Sequence, residues 1–294
     1  MTLNEYLAQQ TARIDAELDR WVPPETQPPA TIHKAMRYSL FAGGKRIRPV
    51  LCIAAAEAVA GECPGIEAAA CTLEMVHTYS LIHDDLPALD NDDLRRGKPT
   101  CHKKFGEAMA ILAGDALLTL AFRVLAALPG AADGVRSRLI EELATAAGTV
   151  RGMIGGQVAD LEGEGQSPTR ELLESIHRAK TGALLRASLR MGAIHAGASA
   201  EQYEALSRYG EHVGLAFQIV DDLLDVEQSS RALGKTAGKD AAQRKITFPL
   251  VYGLEVSHRM AEEERQRAHQ ALAVFGPRGN RLRELAGFII SRTA

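Results

Sequence analysis

Cysteine is scarce in this 294-residue chain, with four residues, and aromatic residues make up only 5% of it, including a single tryptophan. The thiols, Cys52, Cys63, Cys71 and Cys101, form no CxxC pair. That spacing argues against a zinc cage or a disulfide framework and for reduced thiols in a core. Neither sign of charge is in excess, because 34 Lys and Arg against 37 Asp and Glu leave a formal −3. Nothing in that balance calls for a nucleic acid or an anionic membrane as partner. Long apolar runs are missing too: Val50 to Ala56 is about a third of what a bilayer span requires. The first twenty residues carry Glu5, Asp15, Glu17 and Asp19 and no apolar stretch, unlike a secretory leader. These absences lead us to expect a soluble, cytoplasmic protein without membrane insertion.

Proline is rare where it would break helices. Four of the twelve fall between Pro23 and Pro29, and none lies between Thr169 and Phe248. A proline inside a helix costs about 3 kcal/mol, so that gap is room for long helices. Alanine, the best helix former, fills 47 positions. Leu3, Leu7, Ile14 and Leu18 recur at helical spacing before Trp21, as do Leu206, Tyr209, Val213, Phe217 and Val220. No β-branched alternation indicates a strand, and no internal repeat or low-complexity linker divides the chain. Residues 22–29 read as a connector between helices. With 46% hydrophobic and 24% charged residues, global disorder is excluded. The expected fold is all-α, a single large helical bundle spanning residues 1–294 as one domain.

The chemistry is concentrated in two acidic motifs. The first reads Asp84-Asp85-Leu86-Pro87-Ala88-Leu89-Asp90, and the second Asp221-Asp222-Leu223-Leu224-Asp225. Each follows an apolar helical stretch. Asp221 and Asp225 are four apart and share one helical face, where like charges repel. A fold gains nothing from that repulsion, whereas a hard cation such as Mg²⁺ removes it by taking carboxylate oxygens together with water and phosphates. No EF-hand loop is present, which excludes the usual calcium reading.

Basic residues supply a complement. Gly43-Gly44-Lys45-Arg46-Ile47-Arg48-Pro49 sets two glycines before Lys45 and Arg48, so that backbone amides and two cations can approach one anion. Arg95 and Arg96 follow the first acidic motif, and Lys235 and Lys245 follow the second. Arg46 and Lys239 read as solvated surface cations. Gly234-Lys235-Thr236 hints at a phosphate loop, but Ser229 stands where that loop needs glycine and no strand precedes it.

Together these stretches resemble the trans-prenyltransferases, or polyprenyl diphosphate synthases, and within them the bacterial short-chain farnesyl type. The resemblance runs from about Thr31 to Pro249 and rests on GGKRIRP, SLIHDDLPALDNDDLRRG, GGQVADL, Lys180-Thr181, FQIVDDLLD and the Lys-x-Thr-x-Pro at Lys245 to Pro249. It implies helices around one deep apolar cavity, a homodimer, and Mg²⁺-dependent condensation of isopentenyl diphosphate with an allylic diphosphate (dimethylallyl or geranyl) to farnesyl diphosphate. By the same resemblance Asp84, Asp85, Asp90, Asp221, Asp222 and Asp225 would hold three Mg²⁺ ions, with Asp85 and Asp222 more remote from the metal. Lys180, Lys235 and Arg95 would grip the allylic diphosphate; Lys45, Arg48, His77 and Arg96 would hold isopentenyl diphosphate. Gln157, Asp160, Gln218, Asp240 and Lys245 would support the site, and Thr181 with Gln218 would steady the cation. His77 alone reads equally well as a core histidine, and His83 has no evident role.

In this family a bulky residue five positions before the first Asp acts as a floor for the growing chain. Tyr79 holds that place, about 7.5 Å along a helix from Asp84, with Ser80 beside it. The two extra residues in DDLPALD, including Pro87, strengthen the restriction. A C15 product is therefore expected, with Tyr79 as a plain core aromatic, its hydroxyl satisfied, as the opposing reading. A geranylgeranyl diphosphate synthase is the alternative within the same chemistry. A terpene cyclase would not need GGKRIRP, and a non-catalytic subunit of a heteromeric prenyl synthase would usually have lost an Asp motif or basic ligands.

Overall fold

The computed structural model describes residues 1–231 and 245–291, with side chains placed except at 228–231. Lys235, Lys239, Asp240 and Arg292 lie outside the described residues. Helices dominate, as the proline and alanine distribution predicts. They fall into two compact units, one of residues 1–53 and 62–140, the other of residues 54–61 and 141–294.

In the first unit, α1 (Leu3–Trp21) begins with a reciprocal cap. The Glu5 amide donates to Thr2 Oγ1 at 3.3 Å, and the Thr2 amide donates to Glu5 Oε2 at 2.8 Å. Such a box is worth about 1 kcal/mol. Its buried stripe is Tyr6, Gln10, Ile14 and Leu18, one residue per turn, and Leu3 and Leu7 flank it only half-buried. The leucine spacing locates the right helix and misplaces its inner face by part of a turn. The proline-rich connector leads to α2 (Ala30–Leu40), then α3 (Ile47–Ala60) and α4 (Ile66–Asp84). Helix α4 is buried almost all round, the pattern of a central helix, and packs against α1, α2 and α6. A two-residue hairpin, β1 (Leu94–Arg95) and β2 (Lys98–Pro99), precedes α5 (Cys101–Phe105) and α6 (Glu107–Ala126). By length and composition α6 could cross a membrane; here it packs against α4, α2 and α5. The unit boundary falls within α7 (Asp133–Ala147).

The second unit continues with α8 (Met153–Gly163) and α9 (Arg170–His177). A π-helical turn at Arg178–Gly182 runs into α10 (Ala183–His195). Helix α11 (Ala200–Arg231) is 32 residues, about 48 Å long. After it come α12 (Phe248–Tyr252), α13 (Leu254–Ala271), a 3-10 segment (Ala273–Gly279) and α14 (Asn280–Ser291). Helix α11 is the spine of this unit, packed on α10, α13 and the π turn. Leu206, Tyr209, Val213 and Val220 are buried along it, while Phe217 is half-buried. All four cysteines are free thiols; Cys52, Cys71 and Cys101 are buried and Cys63 is partly exposed.

Candidate active site

Helix α4 stops at the first acidic motif. Asp85 is its C-cap, and the chain then folds back so that the Asp90 amide donates to the Asp84 carbonyl at 2.8 Å. The two extra residues of DDLPALD are taken up in this turn, which returns Asp90 to the helix end where Asp84 sits. Asp84 and Asp90 are partly exposed, whereas Asp85 is buried. The Asp85 carboxylate accepts a fork from Arg95, Nε at 2.9 and 3.0 Å and Nη2 at 2.6 Å. Burial pushes the Asp85 carboxyl up against the pull of that guanidinium. Burial alone would lower Arg95, but the Asp85 hydrogen bonds and charge more than reverse it. Arg95 is thereby oriented by Asp85 beside the first acidic motif.

The hairpin that carries Arg95 explains Arg-Arg-Gly as a local structure. Arg96 and Gly97 have φ of 52° and 74°, and a two-residue loop with both central residues at positive φ matches the right-handed twist of its strands. Sequence alternation misses so short a hairpin. Arg96 donates to the Gly43 carbonyl, and a Cβ on Gly44 would lie 2.6 Å from Arg96 Nη1. Gly44, at φ 132°, is thus favoured by its backbone, and the flexible end of Arg96 lies where a side chain would begin. His77 on α4 is held neutral, its pKa well below the ordinary value, by burial and then by Arg48, Arg96, Arg95 and Arg46. Four guanidiniums thus bear on one imidazole within the first unit.

Arg46 corrects the reading of it as a surface cation. Its side chain is 2% exposed and pairs with Glu74 at 2.8 Å and with Asp15 at 2.9 Å, and it also donates to the Leu40 carbonyl at 2.8 Å. Burial would lower its pKa; Glu74 and Asp15 raise it on balance. Arg46 anchors the loop from beneath while Lys45 is exposed and Arg48 half-buried on either side. The clue was Glu74, a carboxylate in the middle of an apolar helix, which requires a cation.

Tyr79 is 6% exposed, and its hydroxyl is buried with no hydrogen-bond partner among the described residues. Burial and then the Asp84 charge push its pKa up to about 12. The reading of Tyr79 as a satisfied core tyrosine therefore loses its premise. Ser80 Oγ donates back to the His77 carbonyl at 2.8 Å. His83 packs edge-on to Tyr79, ring centroids 5.7 Å apart, and lies 3.0 Å from the Ile111 carbonyl, so its Nε2 carries the proton. A Cβ on Gly114 would overlap the His83 ring, so α6 accepts that ring only because it carries glycine there. This gives His83 a packing role that its sequence position does not suggest.

In the second unit the π turn presents Lys180 and Thr181. Single π turns inside helices are frequent at functional sites. A Cβ on Gly156, in the GGQVADL stretch of α8, would overlap the Lys180 backbone nitrogen, so the glycine lets α8 close on the turn. Lys180 Nζ donates to Asp160 Oδ2 on the same helix at 2.6 Å. Thr181 Oγ1 donates to Gln218 Oε1 at 2.8 Å, and Gln218 Nε2 donates to Asp222 Oδ1 at 2.8 Å. The other Asp222 oxygen accepts the Phe248 amide at 2.9 Å, and His177 Nε2 lies 3.5 Å away. Burial lowers His177 to about 4, so it is neutral at neutral pH. Asp222 is buried and engaged, while Asp221 is exposed and Asp225 half-buried. Lys245 and Gln157 are half-buried nearby in sequence to these groups. His177 and Phe248 are the residues sequence reasoning passed over, and no spacing rule marks them.

The donor set suits a hard cation. Among the described residues no three His, Cys, Asp or Glu side chains converge into a ready metal cage. Each motif instead offers two more accessible carboxylates flanking a buried one, which is how Mg²⁺ is held when substrate phosphates and water complete its octahedron.

All-helical packing with paired aspartates near apolar helices and cations gathered beside them is the build of an isoprenoid synthase. The polyprenyl synthetase family description matches residues 29–278. A farnesyl diphosphate synthase of Geobacillus stearothermophilus is 49% identical over 257 residues, covering 86% of each chain. Geranylgeranyl pyrophosphate synthase 11 of Arabidopsis thaliana is 48% identical over 293 residues, 98% of this chain and 81% of the plant one. Among solved structures, an FPP/GFPP synthase from Zymomonas mobilis superposes with a TM-score of 0.87 at 37% identity, covering 98% and 99% of the two chains. A geranyltransferase from Legionella pneumophila gives 0.87 at 36%, covering 99% and 97%. This chain belongs to the polyprenyl synthetase family of prenyltransferases.

Proposed function

We propose that the protein condenses isopentenyl diphosphate with dimethylallyl or geranyl diphosphate to give farnesyl diphosphate and free diphosphate. The observation that carries the C15 assignment is Tyr79: a bulky side chain, buried within two turns of Asp84, whose hydroxyl meets no partner among the described residues that would make it a structural tyrosine. Relatives named for both farnesyl and geranylgeranyl products stand at similar identity, so chain length rests on this residue. Mg²⁺, when bound, would neutralise the diphosphate leaving group. Asp84, Asp90, Asp221 and Asp225 would be its ligands, three ions in all, with Asp85 and Asp222 behind them.

The remaining roles follow from chemistry. Arg95, set by Asp85, and Lys180, set by Asp160, would hold the allylic diphosphate together with Lys235. Lys45, Arg48 and Arg96 would bind the diphosphate of isopentenyl diphosphate, with neutral His77 among them as a hydrogen-bond partner. Thr181 and Gln218 present oxygens whose partial negative charge would steady a carbocation, and Asp222 keeps Gln218 turned for that task. Gln157 and Lys245 would shield the site. No side-chain base is required, because the released diphosphate can take the proton. As part of the same reading, the protein acts in the cytoplasm as one catalytic domain and as a homodimer. Exposed Ile111 and Leu112 on α6, and exposed Ile154, Val158 and Leu161 along α8 with Val150 just before it, are the apolar faces a second copy would cover.

The test is incubation of the purified protein with isopentenyl and geranyl diphosphates, with Mg²⁺ or with EDTA, followed by product chain-length analysis. A C15 diphosphate formed only with Mg²⁺ is expected. A C20 product would overturn the chain-length assignment, and no product with any allylic starter would return the non-catalytic subunit.

A further inference from the structure

Bordering the π turn at Ala179 and Gly182 lies a cavity of about 310 Å³ that uses none of the residues assigned above. That volume is at the lower end of small-ligand pockets. Arg151, Arg178 and Arg186 line it, with Glu211 as the one carboxylate in its wall. Arg186 Nη1 reaches Glu211 at 3.2 Å and Arg178 reaches Glu174 at only 3.4 Å. Arg151 has no hydrogen bond or ion pair among the described residues. Arg186 Nε is buried and meets no acceptor among them either. Arg151 moreover sits at φ 56°, a conformation that favours glycine.

Three guanidiniums facing two carboxylates, Glu211 and the Glu174 partner of Arg178, repel one another and leave donors unused, so the fold alone gains little from the arrangement. An anion with several oxygens supplies what is missing, and the planar fork of arginine matches phosphate oxygens two at a time. Leu215, the cavity residue nearest the second Asp motif on α11, lies six residues before Asp221, about 9 Å along the helix, and none of the motif's aspartates lines the cavity.

We propose that this cavity is a second anion site, binding free diphosphate or a small phosphate ester through Arg151, Arg178 and Arg186. Ala179 and Gly182 border the cavity while Lys180 and Thr181 lie between them in the chain. A bound anion therefore braces the turn that carries both.

Calorimetric titration of the full chain tests this without turnover, in EDTA and about 0.15 M salt to screen loose surface binding. The probe is inorganic diphosphate, followed by isopentenyl diphosphate. The background is a Lys45→Ala, Arg48→Ala variant, which removes two of the cations assigned to isopentenyl diphosphate. That variant is expected to retain a diphosphate site that depends on Arg151 and Arg178. Adding Arg151→Gly, which suits the observed φ and so should not disturb folding, weakens it at least about tenfold. Arg178→Gln does the same, whereas Arg138→Gln on α7 does not. Retention by diphosphate alone identifies the free anion as ligand; equal binding of isopentenyl diphosphate identifies the ester; either upholds the site. Loss of all binding in the Lys45, Arg48 background, or binding insensitive to Arg151→Gly and Arg178→Gln, overturns it. Neither failure touches the condensation reading, which is judged by product.

Discussion

Replacing Arg46 by methionine should be among the most damaging single changes available outside the reacting groups. The side chains of Arg46 and Glu74 are 2% and 4% exposed, so neither charge can return to water when its partner is removed. Breaking such a pair from one side costs about 3–5 kcal/mol, and the Leu40 carbonyl loses a donor as well. Asp15 adds little to the penalty, because at 42% exposure it rehydrates. The total is a large share of the 5–15 kcal/mol, roughly, by which a folded protein is stable. Removing both charges together, as Arg46→Met with Glu74→Met, leaves no buried ion and should recover most of the loss. The assay is urea unfolding followed by helical circular dichroism on wild type, both single variants and the double variant. Arg20→Met serves as the surface control, since that side chain is 73% exposed. If Arg46→Met costs less than about 1 kcal/mol, no more than an exposed pair, the buried-anchor account is wrong.

Tyr79→Ala should shift the main product from C15 toward C20, read by chromatography of the dephosphorylated prenols; an unchanged C15 product removes Tyr79 as the floor. Gly156→Ala places a methyl against the Lys180 backbone and should lower stability by about 1–3 kcal/mol through overpacking, with turnover falling further because Lys180 moves. Wild-type melting and turnover in that variant would show that α8 does not need this close approach. His269 has its pKa lowered by burial and then by Arg265, so the unfolded chain binds its proton more readily than the folded one. Its contribution is whole above the free value of 6.5 and is lost as pH falls from there through the folded pKa. Thermal unfolding between pH 7 and 5 should therefore show a decline that His269→Gln reduces, and an identical slope in the variant would dismiss the effect.

What could be read beforehand depended on whether a residue's environment is local or assembled. The helices follow from period and proline, both short-range properties, and the paired aspartates announce themselves because a helix fixes the relation of Asp221 to Asp225. The inner face of α1 was missed by part of a turn because Tyr6 and Gln10 are buried by contacts that leucine counting ignores. Arg46 was misread for a similar reason: its partners lie 28 and 31 residues away, and no local rule couples Arg46 to Glu74. The Arg95–Asp85 fork, the π turn and the Thr181–Gln218–Asp222 chain belong to the same class. Each involves a side chain whose neighbours come from another element. This division has a chemical consequence. The groups legible as motifs are those that would meet phosphate or metal, the first acidic motif at the end of α4 and the second within α11. What became visible only in the fold is the pairing that holds those motifs in place: Asp85 orients Arg95, Asp160 orients Lys180, Asp222 orients Gln218. In each case a carboxylate aims a partner rather than standing free. Replacing these carboxylates should therefore disturb orientation before it disturbs folding.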